Sequence, residues 1–315
     1  MINFNQLRIF YQAAKYQSCT VAAKKLFITQ PAVTAQVKAF EDSCNLRLFK
    51  KRGRKIYLTD EGKKLYQYAN QIFEYEKEIE DIIEDMRALK TGVLKLGTTK
   101  TYARTYMPIF ITRFRQSYPH IKIHLNEGSS LEMANSLLDF QNEIAIIAKI
   151  EDNPQICYVP FCREDILVLM PPDHALAKKR SVTLAEIAQE PIIIKERGSG
   201  TRKALDEALA QKGIVPNISM ETTNTDFIKQ LVIRGAGISF LVKSGILKEL
   251  EEGKLVTVPI KDCQIHSDVN LAYLRTQHLS TPAQAFLELL KGLSLEESPL
   301  QNIECLINRM AVPSR

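Results

Sequence analysis

Nowhere in this 315-residue chain do some 18 apolar residues run together, so no membrane-spanning helix is expected. The first residues, Met1-Ile2-Asn3-Phe4-Asn5, lack the basic region and apolar run of a signal peptide. A cytoplasmic location is therefore expected. Six cysteines (Cys19, Cys44, Cys157, Cys162, Cys263, Cys305) are scattered without a C-x-x-C pair. They read as free thiols, several of them core filler, with a redox role for Cys157 and Cys162 as the alternative. The histidines form no metal site either. His120 and His124 flank the alternating run Ile121-Lys122-Ile123, and four strand residues span about 13 Å, too far for both rings to reach one ion. There is no P-loop and no nucleophile elbow, and Gly235-Ala236-Gly237 lacks the rest of a G-x-G-x-x-G fingerprint. No metal and no cofactor is implied.

What is present is an ordinary globular composition, 45% hydrophobic and 25% charged, over a length that calls for two or three domains. The charge is distributed unevenly. Residues 1–66 hold 13 Lys and Arg against 4 Asp and Glu, residues 67–91 hold 3 against 7, and the remainder is nearly balanced at 26 against 25. A basic N-terminal segment is the electrostatic footprint of a nucleic-acid binder, though RNA or anionic lipid attracts the same charge.

Within that segment a first helix is expected from near Asn5, with Leu7, Phe10 and Ala14 on one face. A second follows Thr20 as its N-cap, and its paired Ala22 and Ala23 let another helix cross closely. Thr29 caps a third, with Pro31 in the first turn, where a missing N–H costs nothing, and Asn45 at its end. Val33, Val37 and Phe40 should point inward. Gln30, Thr34, Ala35 and Lys38 share the opposite face, and these residue types suit base edges, phosphates and thymine methyls. Three short helices with a polar face also describe any small bundle. The next residues separate the two readings. Leu48 to Lys51 and Ile56 to Leu58 read as two strands around a turn, with Lys50, Lys51, Arg52, Arg54 and Lys55 supplying five cations in six residues. A basic wing of this kind lies against a phosphate backbone or in a minor groove.

Gln30-Pro31-Ala32-Val33-Thr34, Phe40-Glu41, Leu48-Phe49 and Leu58-Thr59-Asp60-Glu61-Gly62 together resemble, in order and spacing over about 60 residues, the LysR-type transcriptional regulators. Ala35 stands where the family often has arginine, Phe40 replaces the usual leucine, and Cys44-Asn45 replaces Leu-Gly. The resemblance implies a winged helix-turn-helix over residues 1–58, with Thr29, Gln30, Pro31, Thr34, Lys38, Lys50, Lys51, Arg52 and Arg54 toward double-stranded operator DNA. It also implies a dimer of dimers.

Residues 59–91 read as one long linker helix, begun by Thr59 with Asp60 and Glu61 at its positive dipole end. Leu65, Tyr68, Ile72, Tyr75, Ile79, Ile82, Met86 and Leu89 alternate at spacings of three and four, which fits a two-helix coiled coil and hence a homodimer. Packing against its own domain is the alternative.

Over residues 92–295 short apolar runs alternate with helical stretches. One set contains strands at Val93–Leu96, Ile121–Leu125 and Ile144–Ala148, with helices from near Met107 and Leu131. A second contains Ile166–Met170, Ile192–Ile194 and Ile238–Leu241, and Val269–Tyr273 with a helix near Ala283–Leu290 returns to the first. The alternation implies parallel α/β packing. By resemblance this is the family's bilobed effector domain, similar to a periplasmic-binding-protein fold of type 2, with a small molecule between the lobes. Three strand-to-helix junctions are rich in hydroxyls: Thr98 to Thr101, Glu127 to Ser130, and Lys195 to Arg202. From them Thr99, Lys100, Thr101, Ser129, Ser130, Ser199, Gly200, Thr201 and Arg202, with Asn224, form a candidate site for an anionic effector. Helix capping alone is the alternative role for the hydroxyls, and bracing of the lobes the alternative for Arg202. Residues 296–315 form a tail in which Leu300, Ile303, Ile307 and Met310 share a helical face.

An enzyme of bilobed α/β fold acting on an anionic metabolite is the competing reading, and it lacks a catalytic motif. A transported-solute binding protein would require an export signal.

Overall fold

The computed structural model describes residues 2–52 and 55–294, with nothing described of the Arg52 side chain. Arg54 and the tail at 296–315 therefore lie outside the described residues. The chain divides into two compact units, at Asp85 and Met86.

In the first unit, α1 (Phe4–Tyr16) starts at Asn3, whose side chain accepts the N–H groups of Asn5 and Gln6. It stops at Gln17, in the left-handed region at φ 49°. The second helix, α2 (Cys19–Lys25), is capped by Ser18 and not by Thr20, because the chain is already extended at Ser18, where the hydroxyl accepts the Val21 N–H at 3.3 Å. Thr20 lies in the first turn. As expected, α3 (Gln30–Cys44) has Thr29 as its cap, Pro31 in its first turn and Asn45 at φ 53° as its stop. Leu7, Phe10 and Phe40 are buried in one apolar cluster and Ala22, Ala23, Val33 and Val37 in a second, with Phe49 packed against both.

The wing, β1 (Phe49–Arg52) and β2 (Lys55–Leu58), is an antiparallel pair with Phe49 opposite Leu58. Its foot is held by Glu41, a buried carboxylate on α3 whose Oε1 accepts the Leu48 N–H at 2.6 Å and the Phe49 N–H at 3.0 Å. From Leu58 the chain enters α4 (Asp60–Arg87) through Thr59, whose hydroxyl donates to the Arg47 carbonyl at 2.7 Å and accepts the Gly62 N–H at 3.0 Å. Gly62 has no alternative: a Cβ there would stand 2.2 Å from the Leu48 carbonyl oxygen. The Phe-Glu, Leu-Phe and Leu-Thr-x-x-Gly elements of the sequence are thus one joint between α3, the wing and α4.

The second unit is an eight-stranded mixed sheet flanked by helices, in two lobes. The first lobe contains β3 (Val93–Thr99), α5 (Lys100–Thr105), α6 (Met107–Ser117), β4 (Lys122–Gly128), α7 (Ser130–Leu138) and β5 (Ile144–Ala148). The chain crosses in β6 (Ile156–Leu169) to the second lobe, which holds α8 (Leu184–Ile187), β7 (Ile192–Lys195), α9 (Gly200–Gln211), β8 (Ile218–Thr222), α10 (Thr225–Ile233), β9 (Ile238–Val242) and α11 (Leu247–Glu251). It returns in β10 (His266–Leu274) and ends in α12 (Thr281–Ser294), which packs Phe286 and Leu290 onto the first lobe.

The strand order is β4-β3-β5-β10-β6-β9-β7-β8. Within each lobe the pairs β3/β4, β3/β5, β7/β8 and β7/β9 are parallel, as the alternation implies. The crossing strand β10 runs antiparallel to β5 and β6, which makes the sheet mixed. Each lobe has its own apolar core, one around Phe110, Phe114, Ile144 and Leu271, the other around Val168, Ile192, Leu205 and Phe240.

The expected strand at Ile166–Met170 is the tail of a 14-residue strand that begins at Ile156. Pro160 hides its first half from a sequence reading. The ladder accommodates the proline at a bulge, where the register passes from Cys162 opposite Val269 to Pro160 opposite Asn270. The separate α5 and β8 were likewise not anticipated.

Candidate functional site: an exposed helix face and a hydroxyl-lined cleft

On α3 the buried and exposed faces separate as the spacing predicts. Val33, Val37 and Phe40 are buried, while Thr29, Gln30, Pro31, Thr34, Ala35 and Lys38 are exposed. Gln30 Nε2 donates to Thr34 Oγ1 at 2.8 Å, and that hydroxyl donates to the Gln30 carbonyl at 3.2 Å, so the pair satisfies itself until another partner displaces it. Lys50 and Lys51 are exposed on the wing. Together with Lys63 they edge a groove of about 630 Å³ floored by Phe49, Ile56 and Leu58.

The apolar stripe of α4 divides between the two readings of it. Leu65 packs into the core of the first unit, whereas Leu89 lies beyond the helix, which ends at Arg87 short of the expected residue 91; it takes a left-handed conformation at φ 56° and packs into the core of the second unit. Between them Tyr68, Ile72, Tyr75, Ile79, Ile82 and Met86 are all exposed, Tyr75 by 64%. A contiguous apolar stripe of this length on a helix marks a protein contact.

In the second unit the three hydroxyl-rich junctions converge. Thr99, Lys100, Thr101, Ser129, Ser130, Ser199, Gly200 and Thr201 all line one cleft between the lobes. Each loop ends at the start of a helix. Thr99 accepts the Tyr102 N–H at the start of α5, and Ser129 forms a reciprocal capping box with Glu132 on α7. Two hydrogen bonds from Ser129 to the Glu132 carboxylate hold that group below its ordinary value, with Lys100 and Lys195 adding to the effect. Ser199 is different: it stands at the cap position of α9 and makes no capping hydrogen bond. Gly200 permits the close approach of α9 to the end of β5 and the start of β10, since a Cβ would lie 2.4 Å from that of Ala148 and 3.0 Å from Ser267 Oγ.

Two candidates fall elsewhere. Arg202 is 6% exposed and does not line the cleft; its Nε donates to both Asp206 oxygens at 2.9 and 2.8 Å, and its Nη1 donates to Glu221 at 2.8 Å and to the Lys195 carbonyl at 3.0 Å. A guanidinium with that many intramolecular acceptors braces the second lobe and is not free for a ligand. Asn224 caps α10 by accepting the Phe227 N–H at 3.1 Å. Conversely, Lys195, Glu196, Thr225 and Ser267 line the cleft. Lys195 and Glu196 were within the third loop, but Ser267 is the second residue of β10, where only sheet pairing brings it to the site.

The lobes are tied across the cleft. The Leu131 N–H donates to the Gly198 carbonyl at 3.1 Å, and Arg104 pairs with Asp226 at 2.5 Å. Behind it the buried Glu164 accepts the Tyr106 hydroxyl at 2.9 Å from the first lobe and the Ser244 N–H at 3.0 Å from the second. Nearby, burial pushes the Cys162 thiol well up, which works against the thiolate that redox chemistry needs.

Residues 4–63 match the model of the bacterial regulatory helix-turn-helix proteins of the lysR family, and residues 87–294 match that of the LysR substrate binding domain. The chain belongs to the LysR family of transcriptional regulators. Among its relatives in this family, the HTH-type transcriptional activator CmpR of Synechocystis sp. is 31% identical over 286 residues, 91% of this chain and 94% of CmpR. The regulator cbl of Escherichia coli is 31% identical over 307 residues, 96% of this chain and 97% of cbl. The RuBisCO operon transcriptional regulator of Allochromatium vinosum is 30% identical over 287 residues, 91% and 95% of the two chains. The fold of a full-length OxyR variant from Pseudomonas aeruginosa superposes with a TM-score of 0.75 at 21% identity, covering 93% of this chain and 99% of that one. This LysR-type protein is therefore a DNA-binding transcriptional regulator with an effector-binding domain, not an enzyme. Regulators of the family bind DNA operators and small-molecule effectors and form oligomers. Among the described residues no helix is long and apolar enough to cross a membrane.

Proposed function

We propose that this LysR regulator reads its operator through Thr29, Gln30, Pro31, Thr34 and Lys38 on α3, with the wing residues Lys50, Lys51, Arg52 and Arg54 on the phosphates. Its activity is controlled by a small anionic metabolite held in the cleft by Thr99, Lys100, Thr101, Ser129, Ser130, Ser199, Gly200 and Thr201. The observation that carries the reading is the convergence of three separate hydroxyl-rich loops, with Lys100 and Lys195, on one cleft between two lobes. Hydroxyls and the starts of α7 and α9 favour negative charge there. Segment 1–58 is the reader, 59–91 the linker, 92–295 the effector domain and 296–315 a tail.

Ligand binding acts by favouring one closure of the lobes over another, and it can shift that balance only by its difference in affinity for the two. The exposed stripe of α4 pairs with its copy in a homodimer, and two dimers form the working tetramer in the cytoplasm. Replacing Ile79 with Asp should lower the assembly state measured by sedimentation. Calorimetry of the full chain against small carboxylates, inorganic oxyanions and sugar phosphates, paired with footprinting, tests the effector site. An anion that binds and changes the footprint is the expected result. Undiminished binding to a Ser199→Ala, Thr201→Ala double variant would place the ligand elsewhere.

A further inference from the structure

Starting from the reading of the cleft as the effector site, we propose that its ligand is a small oxyanion that still carries an acidic proton at neutral pH, of the hydrogen phosphate or bicarbonate type. Glu196 accepts the hydrogen bond of that proton.

Size comes first. The cleft, open on one side, leaves about 50 Å³ between its loops, while one water needs about 10–15 Å³ of such space. As it stands this space suits an ion of a few heavy atoms better than a sugar phosphate or a nucleotide. The sign of the charge follows from what lines it. Ser199 is only 8% exposed, faces the cleft, and caps nothing at the start of the twelve-residue α9. Its hydroxyl and the first N–H groups of that helix are available to an anion. Lys100 and Lys195 add positive charge, and Lys195 Nζ is fixed by donating to the Thr223 carbonyl at 2.8 Å and to Thr225 Oγ1 at 3.4 Å.

Glu196 does not fit a site for just any anion. Its side chain is 17% exposed, and its Oε2 is buried without a hydrogen-bond partner. Lys195 Nζ lies 3.1 Å from that oxygen, off the direction of a hydrogen bond, so it offsets the charge and leaves the lone pair unused. A carboxylate can only accept. Facing sulfate, which has no proton, it meets lone pairs and like charge. Facing hydrogen phosphate or bicarbonate it meets an O–H, and the orphaned acceptor becomes a discriminator. Sites built to bond a hydroxyl reject the analogue lacking it by large factors.

Titration calorimetry of the full chain with sodium phosphate, bicarbonate in a closed cell, and sulfate at pH 7.5 tests this, and the first two arms separate the two ligand types. At least one proton-bearing anion should bind, with sulfate at least about a hundredfold weaker. Glu196→Gln supplies an N–H donor, so sulfate should gain and the gap should close to within about tenfold. Ser199→Ala should weaken all three together. Sulfate binding wild-type protein as tightly as the proton-bearing anions overturns the inference, as does a gap that survives Glu196→Gln in protein with an unchanged unfolding midpoint. If that variant fails to fold, the wild-type ranking alone decides. If none of the three binds but a larger carboxylate or sugar phosphate does, this inference falls and the effector reading stands. If no anion of any size binds, both fall.

Discussion

In the first unit the side chains proposed to meet DNA, Gln30, Thr34 and Lys38, stand on one exposed face of one helix. In the second, the cleft draws on three loops from two lobes and on a residue of a crossing strand, with Ser199, Ser130 and Ser267 nearly buried. The reader is specified by local periodicity, and the cleft by long-range pairing of β6 and β10. Substitutions should therefore act differently in the two units. In the reader, binding and folding depend on opposite faces of α3 and can be changed separately. In the sensor, groups that neighbour one another in sequence divide between ligand and scaffold.

The largest effect is expected where the reader's folding face meets the wing. Glu41→Ala removes the acceptor of two N–H groups, of Leu48 and Phe49, in a buried setting. Charge-assisted bonds of this kind are worth about 1.5–3 kcal/mol each, and the orphaned donors add to the loss. A drop of about 3 kcal/mol in urea unfolding of the first unit is the expected result, with specific and random DNA affinity falling together as the wing loses its foot. Unfolding like wild type would mean that the joint is held by Gly62 and Thr59 alone.

On the opposite face of the same helix, Thr34→Ala and Lys38→Ala should leave the unfolding curve in place. Each should cost about 1–3 kcal/mol in operator affinity if it contacts a base. Gel-shift titrations against the operator and a scrambled duplex separate the two terms. Equal losses on both duplexes would reassign these residues to phosphate contact.

A smaller effect is expected at the wing. Neutralising Lys50 and Lys51 together should lower the slope of log affinity against log salt by about 0.9 for each phosphate the wing no longer neutralises, with little change in sequence preference. A slope that does not move would leave the wing off the DNA.

These contrasts explain what could be read from the sequence. The joint Phe40-Glu41, Leu48-Phe49, Thr59 and Gly62 was recognisable because its parts lie within 23 residues and each obeys a local rule, although what they do for one another, a carboxylate accepting the wing's first N–H groups, appears only in three dimensions. The N-cap moved from Thr20 to Ser18 because two hydroxyls two residues apart satisfy the same rule, and the left-handed stop at Gln17 decides between them. Thr99, Ser129 and Ser199 were placed in the cleft because strand-to-helix junctions in an α/β sheet share one edge. Arg202 was misplaced for a reason the sequence does contain. Asp206 follows it by four residues, one helical turn on, and a partner at that spacing competes with any ligand. Glu221, on the neighbouring β8, could not have been anticipated, because that strand was not expected.

Arg202 also supplies the mildest and most specific test of the comparison. Its hydrogen bond holds the Glu221 carboxyl below its ordinary value, with burial opposing and the Arg202 charge reinforcing the shift. A carboxylate depressed in the folded state contributes stability above its unfolded value, ordinarily about 4.3, and loses that contribution as pH falls through the folded value. Glu221 is 46% exposed, so solvent screening keeps the increment small. Arg202→Ala should therefore lower the unfolding midpoint most at neutral pH, and the difference from wild type should narrow as the buffer is taken below about pH 4. A residual gap that does not depend on pH reflects the missing bond to the Lys195 carbonyl and the vacated volume. Because the guanidinium does not line the cleft, the variant should still bind the anion that wild type binds. Loss of anion binding with an unchanged melting profile would return Arg202 to the site, and a brace would have been mistaken for the whole of its role.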